Sequence, residues 1–192
     1  MSRLGRAHTV GVIADTHGLL RPEAAVALAG SELIVHAGDV GSAEVLDKLR
    51  EIAPVVAVRG NNDKGAWAVA LPAAAVVEIG GVVLYVLHDL SELDLDPAAA
   101  KFHVVIAGHS HRPQIDHRNG VMFLNPGSAG PRRFTLPVAV ARLHVHGGRV
   151  RAEIVELVVA APDHHSDRID TLRSPADLVQ GSLRRPEWGP KG

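Results

Sequence analysis

Seven side chains able to bind a metal ion follow five short apolar runs: Asp15 and His17, then Asp39, then Asn61, then His88, and finally His109 and His111. In α/β sheets ligands gather beyond the carboxyl ends of the strands, so groups distant in sequence can converge on one crevice. Gly18, Gly38, Gly60 and Gly108 sit beside these residues, where tight turns and close backbone approach favour a residue without a side chain. Taken singly, each motif has an ordinary explanation. Gly38-Asp39 and Gly60-Asn61-Asn62 read as turns, and His88 as a strand-end histidine. Their recurrence at one strand end after another is what points to a site.

Two carboxylates, one amide and four imidazoles supply donors for two divalent ions, provided that Asp39 bridges them and water completes each shell. Mixed oxygen and nitrogen donors suit manganese, iron, zinc, cobalt or nickel, with manganese as the first expectation, and disfavour copper(I), magnesium and calcium. The remaining histidines fall outside this pattern. His8, His103, His117, His144, His146, His164 and His165 read as surface or edge positions, and His36 as structural.

The elements that must position these groups can be read from the apolar periodicity. His8 to Ala14, Leu33 to Ala37 and Val55 to Val58 read as strands linked by helical crossovers. Pro22 and Gly30 bracket the first helix, and Ser42 stands as N-cap of a second whose apolar face is Val45, Leu46, Leu49 and Ile52. Such units imply a largely parallel, covered sheet. The second half is richer in antiparallel pairs. Hairpins are expected at Gly80-Gly81, Asn119-Gly120 and Gly147-Gly148, with a helical stretch near residues 97 to 101 and a strand from Val104 to Ala107.

With 192 residues, 46% of them hydrophobic, the chain can bury one good core and is short for two. The expected organisation is one domain over residues 1 to 159, followed by a polar, disordered tail from 160 to 192. A formal net charge of −1 gives no global pull toward nucleic acid or anionic membrane, so phosphate binding must come from a local site. Aromatic residues at 3% leave no stacking platform for single strands. The absence of cysteine excludes disulfides, thiolate metal sites and cysteine nucleophiles. With no signal peptide or membrane span read in the chain, a cytoplasmic protein is expected.

The motifs Asp15-Thr16-His17, Gly38-Asp39, Gly60-Asn61-Asn62-Asp63, the lone His88 and Gly108-His109-Ser110-His111 resemble, in order and spacing, those of the calcineurin-like metallophosphoesterases. The resemblance runs over roughly residues 8 to 157, and Asn125-Pro126-Gly127-Ser128 is similar to the small, single-domain phosphodiesterase branch of that family. It implies a four-layer αββα sandwich of two mixed sheets flanked by helices. It also implies that Asp15, His17 and His111 hold one ion and Asn61, His88 and His109 the other, with Asp39 bridging and Asp39, Asn61 and His88 at the catalytic centre.

Two ions about 3.5 to 4 Å apart can activate a water near neutral pH and stabilise in-line displacement at phosphorus. The implied function is a phosphodiesterase acting on a small phosphodiester. A phosphomonoesterase or nucleotide pyrophosphatase, and a non-catalytic scaffold like the retromer subunit of this fold, are the alternatives. Domains of this type often self-associate, so a homo-oligomer is an open expectation. The chain departs from the family pattern twice. Asn62 stands where many members carry the histidine that protonates the leaving group, and Asp89 follows His88 where glycine is more usual. Without that acid, esters with good leaving groups are expected to be preferred. Asn62, Arg59 and Arg132 are expected to contact substrate, with Lys64 and Arg133 nearby.

Overall fold

The computed structural model describes residues 6–132 and 135–159. The expected tail from residue 160, His164, His165 and Arg133 lie outside the described residues.

Among the described residues, ten strands form two five-stranded sheets. The first holds β1 (His8–Ile13), β2 (Leu33–His36), β3 (Val55–Ala57), β9 (Ala139–His146) and β10 (Arg149–Glu156), in the order β10-β9-β1-β2-β3. The second holds β4 (Ala74–Ile79), β5 (Val82–Leu87), β6 (Val104–Ile106), β7 (Gln114–Arg118) and β8 (Val121–Asn125), in the order β4-β5-β6-β8-β7. Both sheets are mixed. β1, β2 and β3 run parallel as the crossover pattern requires, and β9 and β10 extend the sheet as an antiparallel pair. In the second sheet β5, β6 and β8 are parallel, with β4 and β7 antiparallel on the edges.

The three expected hairpins are present. Gly80-Gly81, Asn119-Gly120 and Gly147-Gly148 all have positive φ at both positions, the backbone that a two-residue turn needs to match the strand twist.

Val10 and Val12 of β1 and Leu84 and Val86 of β5 belong to one fully buried cluster shared by the two sheets. A second cluster seats the helices on the first sheet. α1 (Pro22–Leu28) contributes Ala24 and Leu28, α2 (Ala43–Arg50) contributes Val45, Leu46 and Leu49, and Trp67 of α3 (Ala66–Val69) packs against them. Each fully buried leucine is worth about 1.5–3 kcal/mol. Arg142 on β9 closes the C-terminal end of α1 by donating to the carbonyls of Ala27 (2.7 Å) and Ala29 (2.9 Å), a cation where the helix dipole is negative.

Two local expectations are corrected. Ser42 occupies the N-cap of α2, but its side chain makes no capping hydrogen bond. Residues 97 to 101 form successive turns and no helix. Asp96 Oδ1 accepts the N–H of Ala98 and Ala99, and Lys101 at φ 61° ends the coil after a single turn. The outer face of the second sheet is therefore thinly covered, by a 3-10 turn at Leu90–Glu92 and by Leu93 packed near Tyr85 and Phe123.

Candidate metal centre

β1, β2 and β3 end in register, Ile13 beside His36 and His36 beside Ala57, so the segments that follow leave the sheet at one level. Pairing continues past the strands: Asp15 N–H donates to Gly38 O (3.0 Å), His17 N–H to Asp39 O (2.9 Å) and Gly18 N–H to Val40 O (2.8 Å). On the second sheet Gly108 N–H donates to His88 O (2.9 Å). The two edges are joined where His109 N–H donates to Asp15 Oδ2 (3.0 Å). The first sheet thus delivers Asp15, His17, Asp39 and Asn61, and the second His88, His109 and His111, to one place.

His111 Nε2 lies 3.3 Å from Asp15 Oδ1 and 3.5 Å from His17 Nε2. His17 Nε2 lies 3.8 Å from Asp39 Oδ2, and His88 Nε2 lies 3.5 Å from Asp39 Oδ1. Asn61 Oδ1 meets His88 Nε2 at 3.0 Å and His109 Nδ1 at 3.2 Å. Two atoms each about 2.1 Å from one tetrahedral ion stand roughly 3.4 Å apart, so most of these separations suit neighbouring ligands better than hydrogen-bonded partners. Asp15, His17 and His111 form one such group, and Asp15, Asp39 and His88 a second. Asp39 turns one oxygen toward His17 and the other toward His88.

Burial sharpens the chemistry. Asp15 is 0% exposed, and its Oδ1 accepts no hydrogen bond despite the approach of His111. A buried carboxylate oxygen without a partner is expensive unless a cation faces it. Asp39 is 2% exposed; burial opposes its ionisation, yet hydrogen bonds from His88 and Asn62 hold it well below the usual carboxylate range. Burial likewise opposes the charge on His88, and its bonds to Asp39 and to the Ala37 carbonyl raise it to about 9. Because His88 Nδ1 donates to Ala37 O at 2.8 Å, Nε2 is the atom that faces the site. An ion there would displace its proton.

Of the seven non-glycine residues with positive φ among those described, five are Asp15, His17, Asp39, His109 and His111. Left-handed backbone costs an ordinary residue roughly 1–2 kcal/mol, and such outliers persist where a site over-determines them. Gly60 could not be another residue, since its Cβ would fall 2.1 Å from Asp39 N and 2.2 Å from Asp39 Oδ1.

Among the expected substrate contacts, Asn62 is turned to Asp39: its N–H donates to Oδ1 (2.8 Å) and its Nδ2 to Oδ2 (2.6 Å). Arg59, Lys64 and Arg132 are exposed. The supporting residues were not assigned from the sequence. Asp63, 6% exposed, accepts the N–H of Gly41 and of Gly60 at 2.8 Å each and so ties the β2 and β3 loops together. Asn125 donates to Gly108 O (2.6 Å), and Ser128 donates to Asp15 O (3.0 Å). Both lie in the Asn125-Pro126-Gly127-Ser128 segment, the one signal that could have drawn attention to them. His36 is structural: Thr16 Oγ1 donates to Val40 O and accepts from His36 Nε2 at 2.9 Å.

The chain is 37% identical over 138 residues to a probable metallophosphoesterase of Methanocaldococcus jannaschii, which covers 65% of this chain and 70% of that protein. Solved structures share the fold. One described as a novel archaeal phosphodiesterase is 23% identical, with TM-score 0.65 over 77% of this chain and 99% of that one. Vacuolar protein sorting 29 of Cryptosporidium parvum is 21% identical, with TM-score 0.64 over 79% and 98%. A family model, the calcineurin-like phosphoesterase superfamily domain, matches residues 9–148. With that match spanning most of the two-sheet body and all seven candidate ligands, the chain belongs to the calcineurin-like phosphoesterase superfamily.

Proposed function

We propose that this protein is a two-metal phosphodiesterase. The observation that carries the reading is the pair of donor groups that share Asp15, in which imidazole nitrogens and buried carboxylate oxygens face one another at 3.3–3.8 Å. Asp15, His17 and His111 would hold one divalent ion and Asn61, His88 and His109 the other, with Asp39 between them. Manganese is the first expectation, and iron, zinc, nickel and cobalt suit the same donors. When bound, such a pair supplies an activated water near neutral pH and charge stabilisation for in-line displacement at phosphorus.

The chain's own residues do the rest. His88 is oriented by the Ala37 carbonyl, and Asp39 is held by both donors of Asn62. Against two dications the carboxylates of Asp15 and Asp39 leave a local formal excess of about +2, enough to draw a phosphate to a nearly neutral protein. The exposed Arg59, Lys64 and Arg132 are further candidates to meet its oxygens.

Asn62 cannot donate a proton to a leaving oxygen, and such assistance is typically worth about 10²–10⁴ in rate. The enzyme therefore favours diesters with good leaving groups. The test is a titration of metal-free protein with Mn²⁺, Zn²⁺, Ni²⁺ and Mg²⁺ while an aryl phosphodiester and an alkyl phosphomonoester are hydrolysed in parallel. Two-equivalent activation with diester turnover dominant is expected. Alkyl monoester turnover at an equal or higher rate would overturn the diesterase assignment. Two ions bound without turnover of either would favour a scaffold of the kind this fold also serves.

A further inference from the structure

A cavity of about 230 Å³ opens on the outer face of the second sheet and shares His109 with the ligand cluster. Strand periodicity builds it: Val105 of β6, Phe123 of β8 and Gln114, Asp116 and Arg118 of β7 all project to that face. Leu90 and Ala107 complete an apolar floor. The face is hollow here because, among the described residues, it is covered thinly, by the 3-10 turn of Leu90–Glu92, capped by Asp89 through its hydrogen bond from Ser91 N–H, and by Leu93. His109 stands between the two compartments, its Nδ1 toward Asn61 and its Nε2 3.6 Å from Asp89 Oδ2.

The lining selects for a particular group. Pockets that hold whole drug-sized ligands run to roughly 300–1,000 Å³, so this one has room for part of a substrate. Its apolar floor suits a flat ring, and Gln114 and the Ser110 hydroxyl, which accepts from Asn125 Nδ2, offer hydrogen bonds at its edge. Asp89 and Asp116 place two carboxylates on the wall. Arg118 does not offset them freely, because its Nε donates to Asp116 Oδ2 at 2.9 Å and its guanidinium lies 5.0 Å from the centroid of Phe123. A second phosphate or carboxylate would be repelled.

We infer that this cavity is the subsite for one ester substituent of the substrate, and that the substituent is an uncharged, hydrogen-bonding ring of nucleobase size. The inference rests on the phosphodiesterase reading and narrows it to nucleoside phosphodiesters over substrates with an anionic group at that end. Asp89, where the family pattern carries glycine, becomes part of the wall that repels anionic groups.

Binding is measured by calorimetry on the manganese-loaded full chain with adenosine 5′-monophosphate and with ribose 5-phosphate, which differ only in the base. The base is expected to tighten binding at least tenfold, and Gln114→Trp, which fills the cavity from an exposed edge-strand position, to remove that gain. Uridine 5′-monophosphate should bind at least tenfold more tightly than orotidine 5′-monophosphate, whose base carries a carboxylate, with Asp116→Asn narrowing the gap. Adenosine should also bind the metal-free protein and lose that binding in Gln114→Trp. Equal affinities for adenosine 5′-monophosphate and ribose 5-phosphate, with no adenosine binding, overturn the inference while aryl diester hydrolysis still stands. Adenosine bound to the cavity in a protein that takes up no metal and hydrolyses nothing would instead remove the enzymatic reading.

Discussion

Besides Asp15, which the two donor groups share, the proposed centre turns on Asp39. Its oxygens face His17 on one side and His88 on the other, and three of its neighbours, the Asn62 N–H, the Asn62 Nδ2 and His88, act to keep it ionised. Asp39→Asn keeps the shape and removes the charge, so a bridging position becomes a neutral, poorly bridging amide. Loss of an outer partner alone costs metal sites about 10–100-fold. The bridging ligand should cost at least about 100-fold in turnover and in affinity for the second manganese, read by calorimetry and diester hydrolysis. Near-normal values for both would remove Asp39 from that role. The residue types at this site were legible in the sequence because metal chemistry restricts donors to a few side chains. The left-handed backbone at Asp15, His17, Asp39, His109 and His111 was not legible, because local propensity disfavours it for every one of them.

Loops and strands carry a different part of the design. Strand ends were readable because each ligand follows a β-branched run, and hairpins because only glycine and asparagine adopt their turns cheaply. The order of strands was not, since β9 inserts beside β1 and β8 beside β6 through pairings between residues far apart in sequence. The turns at 97 to 101 read as helix because proline followed by alanines suits a first helical turn. Asp63 shows why supports escape such a reading: its role depends on two backbone N–H groups from different loops. Asp63→Ala leaves both donors without a partner, and a buried unsatisfied donor costs about 1–3 kcal/mol. Urea unfolding of the metal-free protein should show a loss of about 2–3 kcal/mol, with weaker manganese binding. An unchanged midpoint would mean that water replaces the carboxylate and that the loops are held by other contacts.

At the scale of the whole molecule, two buried histidines set opposing limits on stability when no metal is bound. His36 is 0% exposed, and burial is the largest cause lowering it from 6.5 to about 4. Its Nε2–H is committed to Thr16, and its Nδ1 has no acceptor among the described residues, so a second proton would be buried unpaired. Because the unfolded chain binds that proton more readily, the stability from neutral His36 is complete above pH 6.5 and is lost as pH falls toward 4. The full loss is roughly 3 kcal/mol, from 1.36 kcal/mol per pH unit. His88 runs the other way. Burial disfavours its charge, but the bonds to Asp39 and Ala37 raise it to about 9, so its contribution is complete below pH 6.5 and is lost as pH rises through 9. The windows meet without overlapping, and the metal-free protein should be most stable near pH 6.5. Urea midpoints at pH 4.5, 6.5 and 8.5 test this, with His36→Leu flattening the acid limb and His88→Gln the alkaline one. Manganese should remove the alkaline limb of the native protein, because a ligating imidazole has already given up its proton. A midpoint that falls as steeply between pH 6.5 and 4.5 in His36→Leu as in the native chain would leave His36 with a packing role alone.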